Sequence, residues 1–461
     1  MTTASSSPIT RHGWDDLGGE ASLLDLLGPP SPPIGLPASV DVSDLLGAGV
    51  GLAALSLEEV RRVRGDGLRL APVVLDGNRI RTSAQCERHL KINGHAPSAW
   101  APLSGFWRTK DGWIRTHGNY PHHAARLAHL LDVPSDASAD VVAAAVADRH
   151  SLELEERAAE SGAIVGAVRR AADWSAHPQA QVIAASPLID VSQRDAPARQ
   201  WRQGAYGPMA GVRVLDLTRV LAGPVATRNL AFAGADVLRI DSPRLPEIEW
   251  QHAETGPGKR SARLDLSSSP DADVMADLLA TADVLVTGYR PESLAPYGLD
   301  FATLHDRYPG LVVANVSAWG IEGPWATRRG FDSIVQAVTG IAMRESLDGD
   351  VPGALPAQAL DHSAGHLLTA AICRALVRQR TEGGSWLVSI ALARIAHELL
   401  GTSRDTAEVG TGVDTVQIRS APTGSIATAA PSFTWQGGPS EYPLPATPWG
   451  ADQPSWAPTA P

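Results

Sequence analysis

The 461-residue sequence contains 44% hydrophobic and 19% charged residues, the balance of a soluble globular protein with two or three domains. Its formal net charge of -11 and its lack of a Lys/Arg cluster argue against an electrostatic nucleic-acid or anionic-membrane partner, so small molecules are the expected ligands. The two cysteines, Cys86 and Cys373, form neither a disulfide framework nor a metal cluster, which fits a reducing cytoplasm. Without a signal-peptide pattern or an apolar run of transmembrane length, we expect neither export nor a membrane span.

The first part of the chain predicts an extended lead-in followed by a small α+β domain. Residues 1–39 are rich in Ser, Pro and Gly, and the small domain is expected in residues 40–200. At the start of this domain three glycines interrupt a helical pattern, which predicts two short helices. A hairpin turning at Asp111 and Gly112 and three further helices complete the domain.

Four histidines of the small domain raise the question of a metal site: His117, His122, His123 and His129. The neighbours His122 and His123 are expected to point apart on a helix, and no cysteine or acidic residue completes a tetrahedral ligand set. We therefore predict no metal ion.

Beyond a polar linker at residues 201–210, the pattern of residues 211–402 changes to alternating strands and helices. The apolar strand segments are GVRVLDL, ADVLRID, ARLDL, ADVLVTG and LVVANVSAWG. Such alternation predicts an α/β fold with a doubly wound parallel sheet, whose ligand site lies at the carboxyl ends of the strands. The loops at 218–224, 287–291 and 317–323 should line that edge.

A dinucleotide site is the first function to consider for this sheet. Asp241 follows the first loop at the distance of about twenty residues that suits a ribose ligand. The loop itself contains only Gly223 and lacks the G-x-G-x-x-G run that lets the backbone approach a pyrophosphate. The sequence therefore argues against NAD binding.

Asp361 stands where an extended segment changes into a helix. Apolar residues then recur at three- and four-residue spacing, and three arginines occupy the last turns. A carboxylate at this position is expected to cap the helix by accepting backbone N–H groups, which would keep it ionised and fixed in direction. Such a group could act as a nucleophile, and the plain alternative is a structural N-cap.

Five sequence runs follow one another between residues 211 and 400: GVRVLDLTRVLAGPVATRNLAFAGADVLRID, GKRSARLDL, ADVLVTGYRPESLAPYGLD, GFDSIVQAVTG and ALDHSAGHLLTAAICRAL. In this order they strongly resemble family III CoA-transferases of the CaiB/BaiF type. The resemblance implies a Rossmann-like large domain, a smaller domain over the active site and two interlocked chains. It also implies that Asp361 matches the nucleophilic aspartate of the family.

The small-domain sequence resembles the end of family members, although it precedes the large domain here. The resemblance lies in NGHAPSAWAPLSGFWRTKDGWIRTHGN and ELEERAAESGAIVGAVRRAADWSAHPQAQ. The order is thus inverted, as in a permuted chain or a piece of a tandem fusion. It leaves open whether the small domain covers Asp361 of its own chain or of a partner.

The implied reaction moves CoA between an acyl-CoA thioester and a carboxylic acid. Asp361 would form a mixed anhydride and then an aspartyl-CoA thioester, with backbone donors from Asn93, Gly94 and His95 as the nearest match to the oxyanion loop. Acyl-CoA and coenzyme A are substrates, and no tightly bound cofactor is implied. The implied assembly is a cytoplasmic homodimer or a hetero-assembly with a related chain, without nucleic acid or membrane.

Six positions match family contacts to CoA: Arg219, Val220, Leu221, Ala222, Leu264 and Tyr289. Ser242 and Pro296 stand where relatives often carry basic residues. Four nearby cations could hold the phosphates instead: Arg219, Lys259, Arg260 and Arg290. The alternative is that these cations are solvated surface charges.

Two other functions stay open. An α-methylacyl-CoA racemase would carry His in the G-H-D motif, which is matched here by Gly330, Phe331 and Asp332. Phe331 cannot exchange protons, and His362 or His366 on the Asp361 helix is better explained by packing. The second alternative is a non-catalytic CoA-binding paralogue or subunit.

The tail, residues 403–461, loses regular periodicity. It contains one or two short strand patterns and then a Pro/Gly/Trp-rich stretch. We predict an extended arm, which either wraps a partner or is disordered.

Overall fold

The computed structural model describes residues 7–65, 70–204, 206–403, 412–422 and 424–457. Its helices are α1 (Pro8–Asp16), α2 (Val42–Arg64), α3 (Gly77–Ala84), α4 (Cys86–His89), α5 (Pro121–Leu131), α6 (Ala139–Val146), α7 (Ser151–Ser161), α8 (Ala171–Ser175), α9 (Pro178–Ala185), α10 (Ala222–Phe232), α11 (Glu249–Thr255), α12 (Ser269–Thr281), α13 (Pro291–Leu294), α14 (Phe301–Arg307), α15 (Asp332–Thr339), α16 (Ile341–Arg344), α17 (Ala359–Glu382) and α18 (Leu392–Leu400). None of the described helices is both long and apolar enough to cross a membrane.

The strands are β1 (Lys91–Ile92), β2 (Gly105–Arg108), β3 (Trp113–Thr116), β4 (Val165–Ala167), β5 (Asp190–Arg194), β6 (Arg213–Leu217), β7 (Asp236–Asp241), β8 (Arg260–Arg263), β9 (Val284–Thr287), β10 (Val312–Ser317), β11 (Ser385–Ala391), β12 (Val416–Ala421) and β13 (Gly424–Ala429). Seven of them form one sheet in the order β5-β11-β10-β9-β6-β7-β8, in which only β5 is antiparallel to its neighbour. The predicted α/β fold class and parallel sheet are confirmed.

Side chains of the central strands alternate between two apolar cores, one on each face of the sheet. Val214 and Val284 belong to the larger core, whereas the next residues, Leu215 and Leu285, belong to the second. Period-two alternation places successive side chains on opposite faces, so a strand that is apolar throughout must be covered on both. Helices on both faces therefore bury this sheet and leave its strand ends for a site.

The helical segment at the start of the predicted small domain is one continuous helix, α2, and the expectation of two short helices was wrong. A Cβ added at Gly49 would lie 3.3 Å from Cβ of His366 and 3.5 Å from the carbonyl oxygen of Ser363. The glycines thus allow α2 to approach α17 closely, and this tertiary contact offsets their poor helix propensity. Residues that we assigned to the small domain, in α2 and in β5, accordingly contribute to the large core and to the large sheet.

Strands β2, β3 and β4 form an antiparallel sheet with its own apolar core under α5, α6 and α7. The predicted hairpin at Asp111 is confirmed by the pairing of β2 with β3. At Gly166 of β4, an added Cβ would lie 2.8 Å from Val338 and 2.9 Å from Ile334 of α15. This sheet therefore packs tightly on α15 of its own chain.

The described part of the tail folds back onto the large domain. Strands β12 and β13 form a hairpin that pairs with β1, as the strand patterns predicted. The following segment runs beside the edge strand β8, where Asp452 accepts from the backbone N–H of Ser261 at 2.7 Å and donates its own to the Ser261 carbonyl at 2.8 Å. The described tail is thus an ordered arm on its own chain, while residues 404–411, 423 and 458–461 of the predicted tail lie outside the described residues.

Candidate active site

Helix α17, which carries Asp361, begins at Ala359. Its N-cap residue, Gln358, makes no side-chain capping hydrogen bond among the described residues, and Asp361 is the third residue of the helix. The caps come from another helix: Oδ2 of Asp332, the first residue of α15, accepts the backbone N–H of Leu360 at 2.9 Å and of Asp361 at 3.0 Å. The prediction that Asp361 itself caps the helix was wrong, because Asp332 already takes the free donors of the first turn.

Both carboxyl groups are buried, with Asp332 1% and Asp361 6% exposed. Burial, and then the neighbouring Asp332, raise the pKa of Asp361 well above its usual range. Burial also raises the pKa of Asp332 to about 6, although the backbone hydrogen bond from Asp361 opposes this shift. The expectation of a permanently ionised Asp361 is therefore corrected: two like charges in a dry site favour a pair that holds a proton.

Asp332 is held by further contacts within the site. Gln336, one turn along α15, donates to Oδ1 of Asp332 and accepts the backbone N–H of Leu355 through Oε1 at 2.9 Å. The charge of Arg115 on β3 acts on Asp332 and favours its ionised form. The Asp332 carboxylate is thus held by Gln336 of its own helix, and its ionised form is favoured by Arg115 of the small antiparallel sheet.

His117, the residue after β3, contacts the residue that precedes Asp332. The ring of His117 stacks on Phe331 with centroids 3.9 Å apart and planes at 15°. Burial, and then the charge of Arg115, lower the pKa of His117 to about 3, so the imidazole is neutral. The contacts of His117 and Arg115 show that the small unit, which consists of strands β2 to β4 with α5, α6 and α7, lies beside the Asp332–Asp361 pair of its own chain.

The neighbouring histidines do not behave as expected. The rings of His122 and His123 lie 4.0 Å apart rather than pointing away from each other, and His123 packs edge-on to Phe331. His122 and His123 follow the proline that begins α5, and both rings lie beside the ring of Tyr120, with centroids 5.6 Å away. Within the described ranges, no three His, Cys, Asp or Glu side chains are grouped so as to hold a metal ion.

The loop after β6 lies against the helix of Asp361. A Cβ on Gly365 of α17 would lie 2.7 Å from the carbonyl oxygen of Ala222 and from Cβ of Val225. Within the loop, Val220 has φ +71°, a conformation that costs a β-branched residue roughly 1–3 kcal/mol. The predicted segment Arg219 to Ala222 is therefore a strained loop placed within one helical turn of Asp361 by close helix packing.

Arg219 is engaged within the chain. Its guanidinium pairs with Glu247, with Nε 3.4 Å from Oε2, donates to the carbonyl of Pro246 at 2.6 Å and lies 4.5 Å above the ring of Tyr120. Glu247 in turn accepts from Tyr120 Oη at 2.5 Å. These contacts connect the loop after β6 to the residue that precedes α5, so they tie the large sheet to the small unit.

The other predicted CoA contacts lie at neighbouring strand ends. Leu264 follows β8 and is buried in the second core, and Tyr289 follows β9 and packs against the same core. Burial raises the pKa of Tyr289 to about 12, so its hydroxyl is a donor. Arg290 pairs with Glu292 at 2.6 Å and donates to the carbonyl of Thr327.

The remaining candidate phosphate partners also have partners within the protein. Lys259 is buried and donates to Asp216 Oδ2 at 3.0 Å and to Thr227 Oγ1 at 2.6 Å. Arg260 pairs with Asp236 at the start of β7, the edge of the sheet opposite the predicted site. Lys259 therefore forms a buried ion pair with Asp216 that supports the 218–224 loop, and it is not a solvated surface charge.

Asn93, Gly94 and His95, the matched oxyanion segment, form a turn that pairs with the C-terminal hairpin. Asn93 donates its backbone N–H to Ser425 at 2.8 Å and accepts the Ser425 N–H through Oδ1 at 2.9 Å.

The histidines of α17 are packing residues. His362 contacts Cys86 at 3.8 Å, and His366 lies 3.0 Å from the amide of Asn229. Burial lowers the pKa of His362 to about 4 and that of His366 to about 3. Their side chains face α4 and α10, which agrees with the packing interpretation.

Two site residues were missed by reasoning from the sequence. Asp332 had a local signal, since it opens an amphipathic helix with Gln336 one turn later, but its bonds to α17 are long-range. Trp449 of the arm had no local signal: it donates to Asp241 Oδ2 at 2.9 Å and stacks on Arg263, at the ends of β7 and β8. The arm therefore borders the edge where the predicted CoA contacts lie.

Comparison with known proteins identifies the domain that holds this site. Residues 209–431 match the family described as CoA-transferase family III. The matched segment includes Asp361 and every predicted CoA contact, but not the predicted oxyanion segment Asn93 to His95.

Several relatives of the chain are named as transferases. The chain is 29% identical over 334 residues to acetyl-coenzyme A transferase nodX of Hypoxylon pulicicidum, covering 66% of this chain and 55% of that protein. It is 32% identical over 216 residues to the succinate–glutarate CoA-transferase of Agrobacterium fabrum, covering 42% and 53%. A crystal structure of a CAIB/BAIF family protein from Brucella suis aligns at 25% identity with a TM-score of 0.39, covering 48% of this chain and 65% of that chain. The chain spans about half the length of the curated relatives it matches.

Proposed function

We propose that this protein is a CoA-transferase that moves CoA between an acyl-CoA thioester and a carboxylic acid, with Asp361 as the nucleophile. The observation that carries the proposal is the buried Asp332–Asp361 pair at the start of α17, inside the family III segment. The packing of α17 does not require an acid at position 361, because Asp332 already accepts the free N–H groups of the first turn. If residue 361 had only a structural role, an apolar side chain could be buried there at a lower free-energy cost.

The proposed reaction proceeds in two exchanges. The Asp361 carboxylate attacks the thioester carbonyl, the C–S bond breaks, and CoA leaves as a thiolate from a mixed anhydride. The thiolate then attacks the Asp361 carbonyl carbon, which releases the first carboxylate and leaves an aspartyl-CoA thioester. An incoming carboxylate reverses both exchanges and departs as the new acyl-CoA.

The Asp332–Asp361 pair suits this chemistry in two ways. Attack requires the form of the pair in which Asp361 has released its proton, and a desolvated carboxylate is then a better nucleophile than a hydrated one. Burial of both groups also keeps water away from the anhydride, which water would otherwise hydrolyse. The N-terminal end of α17 provides a positive field for charge that develops near Asp361.

Hydroxylamine trapping tests the nucleophile. The protein is incubated with acyl-CoA and hydroxylamine, and peptides are analysed by mass spectrometry for a hydroxamate at Asp361. We expect the hydroxamate, and a loss of transfer by about a thousandfold or more in Asp361→Ala. Asp300→Ala, which removes a partly exposed helix cap on α14, serves as the matched control and should keep full activity. Unmodified Asp361 together with unchanged turnover in Asp361→Ala would refute the proposal.

The proposed partners are acyl-CoA and a carboxylic acid, with CoA as a substrate and no tightly bound cofactor, in a cytoplasmic homodimer or hetero-assembly. One relative, 28% identical over 208 residues, is named the alpha subunit of a succinyl-CoA–L-malate CoA-transferase of Chloroflexus aurantiacus, which supports assembly with a related chain. Light scattering on the purified chain, alone and co-expressed with related chains, measures the assembly. Mass spectrometry of the denatured protein checks for a retained cofactor.

A second candidate is proton exchange at Cα of an acyl-CoA, as in a racemase. The stacking of His117 on Phe331 favours it, because a neutral imidazole lies beside the position where racemases carry His. Solvent deuterium at Cα of a 2-methylacyl-CoA, without acceptor acid and lost in His117→Ala, would support this function. If CoA binds and neither reaction occurs with a broad panel of acids, the chain is a non-catalytic CoA-binding subunit.

A further inference from the structure

A cleft of about 430 Å³ opens at the carboxyl ends of β10 and β11, beside the first turn of α18. Arg394 of α18 is buried and forms its inner end, whereas Asp190 and Glu322 are exposed at its mouth, where Asp190 pairs with Ser389 of β11. The volume lies in the range of small-molecule sites. The cleft is therefore large enough for a metabolite and is polar at both ends.

Arg394 is the unusual group of this cleft. It is 5% exposed, and its Nε donates to the carbonyl of Ser186 at 2.7 Å while Nη2 pairs with Glu398 at 2.6 Å. Its Nη1 is buried without a hydrogen-bond partner among the described residues. An unsatisfied guanidinium donor is costly, and a carboxylate placed at the inner end would satisfy it.

The mouth of the cleft favours a cation, in contrast to the inner end, which favours an anion. Asp190 and Glu322 are both exposed there. Partial burial, and then the charges of Glu322 and Asp16, raise the pKa of Asp190. Because the charge of Glu322 disfavours the ionised form of Asp190, an ammonium group at the mouth would relieve this repulsion.

The wall between the two ends is apolar and held in place. Ile183 of α9 and Ile321 of the loop after β10 line it. Gln179 of α9 fixes that loop by donating to the carbonyls of Trp319 at 2.8 Å and Glu322 at 2.9 Å. The cleft is thus preformed, which lowers the ordering cost of binding.

We propose that this cleft binds a small zwitterionic amino acid. Its carboxylate lies toward Arg394, its ammonium toward Asp190 and Glu322, and its short aliphatic body against Ile183 and Ile321. The site uses none of the residues assigned to CoA transfer, so it goes beyond the proposed reaction.

Titration calorimetry on the full chain tests the site with three sets of probes. The zwitterions are β-alanine, 4-aminobutyrate and leucine, and the truncated analogues are butyrate, which lacks the ammonium, and butylamine, which lacks the carboxylate. We expect saturable binding of at least one zwitterion and binding at least about tenfold weaker for both analogues. The absence of saturable binding of every zwitterion up to about 10 mM would overturn the proposal.

Substitutions locate the binding. Arg394→Lys, which removes the Nη1 donor, and the exposed Asp190→Asn/Glu322→Gln double variant should each weaken binding by about tenfold. Glu153→Gln, an exposed acid on α7, is the control for the loss of a surface carboxylate elsewhere and should bind normally. If Arg394→Lys does not fold, the double variant at the mouth decides, and unchanged binding there refutes the site. Asp361→Ala should keep binding, so failure of CoA transfer and failure of this proposal are distinguishable.

Discussion

The carboxylate of Asp332 accepts the backbone N–H of Asp361 at 3.0 Å, so an aspartate on one helix caps the helix that carries another. This arrangement brings two acids together in a buried site without a cation between them. Burial and the Asp332 charge raise the pKa of Asp361, while Arg115 partly offsets the charge of Asp332. The protonation state of the pair, rather than the identity of either residue, controls the proposed nucleophile.

Asp332→Asn should move the pH dependence of CoA transfer. The asparagine carbonyl still accepts the N–H groups of Leu360 and Asp361, but the like charge is gone, so the pKa of Asp361 falls. Because Asp361 must be ionised to attack, the acid limb of the kcat/KM profile shifts to lower pH. The profile is measured with the wild-type protein and with Asp300→Asn as control. An acid limb that stays in place would show that Asp361 does not sense Asp332.

The same substitution should flatten the pH dependence of stability. The folded-state pKa of Asp332, about 6, lies above its usual value of 3.8, so the folded protein retains a proton that the unfolded chain releases. The free energy of unfolding therefore falls as the pH rises from 3.8 through about 6, and further as Asp361 ionises. Urea unfolding at a series of pH values measures the slope. An equal slope in wild type and Asp332→Asn would contradict the coupling.

Asp332→Ala separates capping from charge. Alanine removes the acceptor and leaves two buried N–H groups of α17 without a partner, whereas asparagine keeps it. We expect Asp332→Ala to be less stable than Asp332→Asn by about 1–3 kcal/mol in urea unfolding at one pH. Equal stability would mean that water replaces the cap, which burial of the site argues against.

Gly365→Ala tests the close contact between α10 and α17. The added Cβ would lie 2.7 Å from the Ala222 carbonyl oxygen, so the helices must separate, at a cost of about 1–3 kcal/mol. Gly47→Ala in α2 is the matched control, because its Cβ would meet Ile34 at 3.5 Å and Pro30 at 3.6 Å. The control should be neutral or stabilising by about 0.5–1 kcal/mol. Thermal and urea unfolding measure both, and a harmless Gly365→Ala would refute the packing argument.

The buried pair of Lys259 and Asp216 supports the loop after β6. Lys259→Met leaves the Asp216 carboxylate buried without its cation and should cost about 3–5 kcal/mol. The Asp216→Asn/Lys259→Met double variant should recover most of that loss, because no charge is left unpaired. Arg157→Met, from an exposed pair on α7, should change stability by less than about 1 kcal/mol. A double variant as unstable as Lys259→Met would show that the lysine acts through contacts other than its charge.

Several features followed from local sequence alone. The strands of the large sheet are short apolar runs bounded by turn residues, and α17 has a helical repeat over its whole length, so both were predicted. The glycines of α2 were misleading, since their poor helix propensity is overridden by contact with α17. The path of the arm could not be predicted from local sequence either, because the partners of Trp449 and Asp452 lie about 190 to 210 residues away in the chain.

By itself the sequence determined the alternation of strands and helices, the strand ends where a site would form, and the acids available there. Hydrophobic period and turn chemistry are local, so they can be read without coordinates. Only the tertiary structure decided that Asp332 caps α17, that Asp361 is a buried group with a raised pKa, and that β3 of the same chain reaches the pair. A pKa depends on burial and on charges brought close by folding, and no local pattern encodes either.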